Sequence, residues 1–346
     1  RVGRTVVGYT ATGEPVTAEH LKAAGAMSVL LKEAIKPNLM QTLEGQPVLV
    51  HAGPFANIAH GNSSVISDLI GIRTGEYLVT EAGFGADIGA EKFFNIKCRA
   101  SGLVPDAAVV VTTVRAMKAH SGKHRIVAGQ TLPDELLAER PDEVHLGAAN
   151  LRKQIENIRL HGVTPVIAIN AFPGDWPSEH LAIQKIAAEL GVRSAICEHH
   201  AKGGAGAISL AEAVAEACEE PSDFTFAYPD TMTLREKIHT IATRVYGADG
   251  VSYSATASRQ LERYETNGYG NLPVCIAKTH LSISSDPSLL GAPTGWTLPV
   301  DEVRANIGAG FVYPVCGSMP TMPGLGRSPA AERIDIDANG DVIGLS

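Results

Sequence analysis

The residues able to do chemistry sit in short loops that follow apolar runs. Gly83-Phe84-Gly85-Ala86-Asp87 comes after the β-forming run Tyr77–Thr80 and before a helix that should begin near Ala90. Two glycines open backbone conformations closed to other residues. A strand, a glycine turn and a helix start would aim free N–H groups at phosphates, with Asp87 beside a nucleotide-borne metal ion. The same residues also suit a plain tight turn in which Asp87 caps the helix. Arg115, Lys118 and His120 follow the run Ala107–Val114, a placement that suits a carboxylate or phosphate, or simply a solvated helix start. Phe172 follows one apolar run and His200 the next, so the two could flank a flat ligand, although an aromatic after a strand is also good core material. Lys202-Gly203-Gly204 resembles an anion-binding nest. His60 stands among Asn57, Asn62, Ser63 and Ser64, either lining a cleft or serving structure. No HExxH, GxSxG, CxxC or GxxxxGK(S/T) occurs, so the residues by themselves indicate an enzyme for anionic and flat ligands without a visible nucleophile and base.

Positioning such loops takes alternating strands and helices. Strands are expected at Thr5–Tyr9, Leu49–Val50, Tyr77–Thr80, Ala107–Val114, Pro165–Ile169 and Arg193–Cys197. Helices are expected over Thr17–Lys36 with Thr17 as N-cap, up to about Gly71, and over 147–161, 178–190 and 233–245. This is an α/β design with a mostly parallel sheet. Beyond residue 250 glycine and proline become frequent and a smaller α/β unit is expected, closing with a hairpin that turns at Asn339-Gly340. The formal net charge of -8 gives no footprint for nucleic acid. No apolar run reaches membrane-spanning length, and five scattered cysteines suggest neither a disulfide framework nor a zinc site, so the cytoplasm is the default compartment. The opening Arg1-Val2-Gly3-Arg4 reads as a start inside a longer protein.

Seven stretches together carry a resemblance: GPFANIAHG (53–61), TEAGFGADIGAEKFFNIKCR (80–99), VTTVRAMKAHSG (111–122), AINAFPGD (168–175), AKGGAGA (201–207), LPVCIAKT (272–279) and MPTMPGLG (319–326). In order and spacing they resemble formate–tetrahydrofolate ligase, also called formyltetrahydrofolate synthetase. Thr112 and Ser121 depart from the commoner Ala and Gly of one signature.

The resemblance implies a large domain of P-loop NTPase type, incomplete here, followed by smaller α/β domains. The divisions expected are 1–150, 151–250 with the folate platform, and 251–346. It implies ATP-dependent ligation of formate to tetrahydrofolate through formyl phosphate, giving 10-formyltetrahydrofolate in one-carbon metabolism. Mg²⁺ would travel with ATP, a monovalent cation would activate, and the intact enzyme would be a homotetramer. Folate would meet Phe172, His200 and Lys202; the nucleotide would meet Gly83, Gly85 and Asp87; His60, Asp87 and Arg115 are the catalytic candidates. The family usually places tryptophan where this chain has His200, which predicts weaker folate binding or a changed pose. The chain resembles the family's C-terminal portion, without the P-loop and its Lys and Arg, and is expected to be inactive alone. Two other readings stay open: a shortened relative that binds folate or nucleotide without ligase chemistry, and another α/β enzyme using ATP or a phosphosugar.

Overall fold

The first fifty residues form two hairpins around a short helix. Strand β1 (Val6–Tyr9) pairs antiparallel with β2 (Pro15–Thr17), and β3 (Asn38–Gln41) pairs with β4 (Pro47–Val50) on the far side of the helix Ala24–Ala34. That helix is shorter than its sequence suggests. Thr17 closes β2, and Ala18 and Glu19 donate their N–H groups to Thr5 and Gly3 carbonyls, so the backbone is committed to the hairpin until Ala24. The structure, a computed structural model, describes residues 1–51, 56–124, 126, 132–317, 329–338, 340 and 342–344. The motif at 319–326, residues 53–55 and Asn339 of the expected hairpin turn lie outside them.

The expected strand Tyr77–Thr80 does not form. Tyr77 is 57% exposed and Val79 is 87% exposed, and a β-propensity run with nothing to pair or pack against stays irregular. After it a helix runs over 86–101, starting at Ala86 rather than near Ala90. Most of it is wound in wide i→i+5 turns (Ala86–Ala90 and Phe93–Cys98), a form concentrated where side chains are placed for a purpose.

The Val- and Ile-rich runs then pair in parallel. Strand β5 (Ala107–Thr112) lies beside β6 (Thr164–Asn170), and β6 beside β7 (Arg193–Cys197). β6 is central and buried from Pro165 to Ile169, as a helix-covered parallel strand must be. The helices Ala148–Arg159 and Pro177–Glu189 cross over between the strands. Their apolar residues Leu151, Ile155, Ile183 and Ile186 join Val114, Met117, Val144 and Ile167 in one core, which therefore crosses residue 150.

A second core crosses residue 250. Tyr228, Leu234, Ile238 and Ile241 pack with Leu298, Val303 and Val312. Thr233 caps the helix Leu234–Thr240 reciprocally with Glu236. Here β8 (Gly250–Tyr253) pairs in parallel with β9 (Thr297–Val300), β10 (Glu302–Asn306) pairs antiparallel with β11 (Phe311–Val315), and β12 (Asp335–Ile336) with β13 (Val342–Ile343). The stretch Val274–Ala277 bonds along β11, with Cys275 and Ala277 donating to Val312 and Pro314 carbonyls. The molecule is thus mixed α/β, with parallel pairing in β5–β6–β7, in β8–β9 and in the bridges of Val274 and Ala277 to β11. No helix of the described residues is long and apolar enough to cross a membrane.

Candidate functional site

Because β5, β6 and β7 run parallel and adjacent, their carboxyl ends lie along one edge of the sheet, and three loops leave it side by side. After β5, the Thr113 hydroxyl accepts from Ala116 N–H at 3.0 Å and starts the helix Val114–Ala119. This turn carries the cation cluster, and its members separate. Lys118 points into the core, where its ammonium donates to Glu179 Oε1 and to Ala138 O, each at 2.8 Å. His120 Nδ1 accepts from Gly291 N–H at 3.1 Å. Burial pushes its pKa down, opposed by the nearby Asp87 charge. Arg115 behaves differently. Its guanidinium lies 4.4 Å from the centre of the Phe172 ring, and its Nε is buried without a hydrogen-bond partner. Its Nε thus meets no carboxylate among the described residues.

Phe172 leaves the end of β6 in a loop locked by Asp175, whose Oδ2 accepts from Phe172 N–H at 2.9 Å and lies 3.3 Å from His180 Nε2. Phe172 is 39% exposed, so the residue is supported by Arg115 while part of it remains open. After β7, Cys197 Sγ meets His199 Nδ1 at 3.0 Å, and His200 is exposed on the short helix His199–Lys202. Lys202 pairs with Glu198 at 2.6 Å on the surface. Next to it Gly204 N–H donates to Glu44 Oε1 at 2.7 Å. Arg115, Phe172, His200 and Lys202 are therefore brought to one sheet edge, with Arg115 and Phe172 in direct contact.

The other expected residues gather elsewhere. Asp87 is buried and both its oxygens are taken: Oδ1 accepts from Gln154 Nε2 at 2.8 Å and Oδ2 from Lys278 Nζ at 2.7 Å. The Lys278 ammonium also reaches Thr279 O at 3.2 Å and Ser282 O at 2.7 Å, which exhausts its three protons. Burial lowers the Lys278 pKa and the Asp87 charge opposes that shift. Lys278 escapes a reading of residue types, because LPVCIAKT looks like an ordinary strand end. Gly85 is tight: a Cβ there would stand 2.5 Å from Asp87 Oδ1. Gly83 is open, and Phe84, at φ +65°, stacks on His280 with centroids 4.8 Å apart. His60 meets Phe311 edge-on at 5.9 Å, and its Nδ1 is buried without a partner. Burial first, and then Lys92, lowers its pKa. Asn62 N–H donates to Glu81 O at 2.8 Å, joining the His60 loop to the Gly83 loop. The described residues contain no group of three His, Cys, Asp or Glu side chains arranged to hold a metal ion.

Comparison with known proteins agrees along the whole chain. Residues 1–346 match the family model described as formate–tetrahydrofolate ligase. A formate–tetrahydrofolate ligase of Saccharopolyspora erythraea is 69% identical over all of this chain and 61% of its own length. Formate–tetrahydrofolate ligase 3 of Rubrobacter xylanophilus is 64% identical, with 62% of its length covered, and the ligase of Cutibacterium acnes is 58% identical, with 61% covered. The chain thus spans about three-fifths of the length of these relatives. It belongs to the formate–tetrahydrofolate ligase family.

Proposed function

We propose that the carboxyl edge of β5–β6–β7 is the folate and acyl-transfer face of an ATP-dependent formate–tetrahydrofolate ligase. The observation that supports it is Arg115, a guanidinium without an anionic partner among the described residues, stacked on a half-open phenylalanine at the ends of adjacent strands. A buried guanidinium nitrogen lacking a partner is costly unless an anion from outside completes it. A flat pterin needs an aromatic surface, and Phe172 supplies one.

The chemistry follows from formate, which is a poor electrophile. Transfer of a phosphoryl group from ATP makes its oxygen a leaving group. N10 of tetrahydrofolate then attacks the formyl carbon, the C–O bond to phosphate breaks, and 10-formyltetrahydrofolate and phosphate result. Arg115 would hold the anionic group that forms and leaves, Phe172 and His200 would orient the pterin, and Lys202 would lie beside its tail. The residues present here do not fit a magnesium site, since Asp87 is fully engaged and no three-residue cluster exists among the described residues, so Mg²⁺ would arrive on ATP. Gly83 and Gly85 would offer backbone to the nucleotide, with Asp87 acting behind them through Gln154 and Lys278. His60 would line the same cleft. A P-loop NTPase relationship, a monovalent activator, a homotetramer and a cytoplasmic location complete this reading. The chain contains no GxxxxGK(S/T), so these residues alone should bind ATP poorly and make no product.

Calorimetric titration of tetrahydrofolate into the chain tests the reading. Phe172→Ala should weaken binding about tenfold, the worth of one stacked aromatic. Equal affinities in the two proteins would remove the platform. A second reading, a folate binder without ligase chemistry, is favoured by the commitment of Asp87 to Lys278; a GxxxxGK(S/T) segment in the reading frame upstream of Arg1 would exclude it.

A further inference from the structure

The Gly203–Gly204 turn holds an anion that its own loop does not supply. Glu44 sits at the tip of the β3–β4 hairpin, where Gly45 N–H closes the turn on Thr42 O at 3.0 Å. All of β3 and the neighbouring Leu43 are exposed, while at the other end of the hairpin His51, just after β4, bonds to Ser63 and Ser64. The Glu44 carboxylate nevertheless reaches the loop after β7 and accepts from Gly204 N–H at 2.7 Å, across 160 residues of sequence.

The fit depends on both glycines. A Cβ on Gly203 would stand 2.6 Å from Oε1, and one on Gly204 would stand 2.4 Å from Oε2, so the carboxylate occupies the volume that side chains would fill. Gly203 has φ +61° and ψ −148°, a conformation open essentially to glycine alone. From Gly203 the chain winds continuously through Gly203–Ala207 and Ile208–Cys218, which puts the carboxylate at the positive end of a helix. Lys202 is paired with Glu198, leaving this loop without excess negative charge. No cation pairs with Glu44 among the described residues, so backbone alone retains it at an exposed position.

We infer that the Gly203–Gly204 turn is a carboxylate-binding subsite that Glu44 fills in the ligand-free chain. A carboxylate on the tail of the flat substrate displaces Glu44 when that substrate docks. The inference deepens the folate reading and rests on it for the ligand's identity: tetrahydrofolate ends in a glutamyl group, and the turn directly follows Lys202, three residues beyond His200 on the same loop. Removing Glu44 frees the subsite, and one exposed charge-assisted hydrogen bond sets the gain at about fivefold.

Calorimetry on the full chain and on Glu44→Ala, with tetrahydrofolate and with a tetrahydropterin lacking the glutamyl tail, decides the matter. Glu44→Ala should bind tetrahydrofolate about fivefold tighter and the tailless pterin unchanged. Unchanged affinity for both probes, or equal tightening for both, overturns the subsite. If neither probe binds, the folate reading fails, and glycine-selective ¹⁵N spectra decide the subsite separately. In Glu44→Ala, glutarate should shift the Gly203 and Gly204 amides saturably. No shift, or a larger shift with inorganic phosphate, overturns the carboxylate assignment.

Discussion

Lys278 and Arg115 both lie against aromatic rings, and their surroundings diverge. Lys278 stands 4.9 Å from the Tyr246 ring centre, is fully buried, and spends its three protons on Asp87, Thr279 and Ser282. Arg115 stands 4.4 Å from Phe172, is half-buried, and has a buried Nε with no acceptor. The first arrangement is closed: each charge has its counter-charge inside the protein. The second is open, and an open charge at a sheet edge invites a ligand. The same contrast separates Lys118, closed by Glu179, from Arg115 three residues earlier on the same helical turn.

The contrast breaks most sharply in the buried region. Lys278→Met strands Asp87 Oδ2 without a proton donor and should cost about 3–5 kcal/mol in urea unfolding. Adding Asp87→Asn should recover part of that loss, because the two residues share one interaction. A single substitution costing less than 1 kcal/mol would show that the pair is not closed.

Glu91 adds a pH test. It is completely buried; Oε1 accepts from Asn95 at 2.9 Å, while Oε2 has no partner. Burial raises its pKa to about 7 from an ordinary 4.5. The folded state therefore holds this proton more tightly than the unfolded chain. Stability should be highest below pH 4.5 as far as this group is concerned, and should fall as pH rises through 7. Glu91→Gln should remove that slope and gain about 3 kcal/mol over the native protein at pH 8. Parallel stability curves for the two proteins between pH 5 and 8 would refute the assignment.

At the open edge effects on stability should be small and effects on ligands larger. Arg115→Gln should change the unfolding free energy by no more than about 1 kcal/mol, since only the stacking contact with Phe172 is lost, yet weaken binding of an anionic flat ligand about tenfold. His200→Trp enlarges the second wall and should tighten tetrahydrofolate about threefold, read by the same titration. An unchanged constant there would detach His200 from the platform.

How much of this was visible in the residue string depends on locality. β6 and β7 were legible because an apolar run bounded by polar loops reads as a buried parallel strand, and their order placed Phe172 and His200 on one edge. The helix expected from residue 233 was legible for the same local reason, whereas the capping role of Thr233 came only with the structure. Tyr77–Thr80 was not, since β-propensity says nothing about whether a partner strand lies alongside. Thr17 had the chemistry of an N-cap, but hairpin pairing with β1 overrode it. The closure of Asp87 by Lys278 spans 191 residues, and that of Gly204 by Glu44 spans 160, and no periodicity encodes such meetings. The wide turns of the 86–101 helix were equally hidden, because they follow from packing rather than propensity.

The central claim is that the sheet edge, and not the buried Asp87 cluster, receives the pterin. Titrating tetrahydrofolate into Phe172→Ala and into Asp87→Asn, beside the native chain, tests it most directly. The account predicts about tenfold weaker binding for Phe172→Ala and native affinity for Asp87→Asn. Native affinity in Phe172→Ala with loss in Asp87→Asn would contradict it.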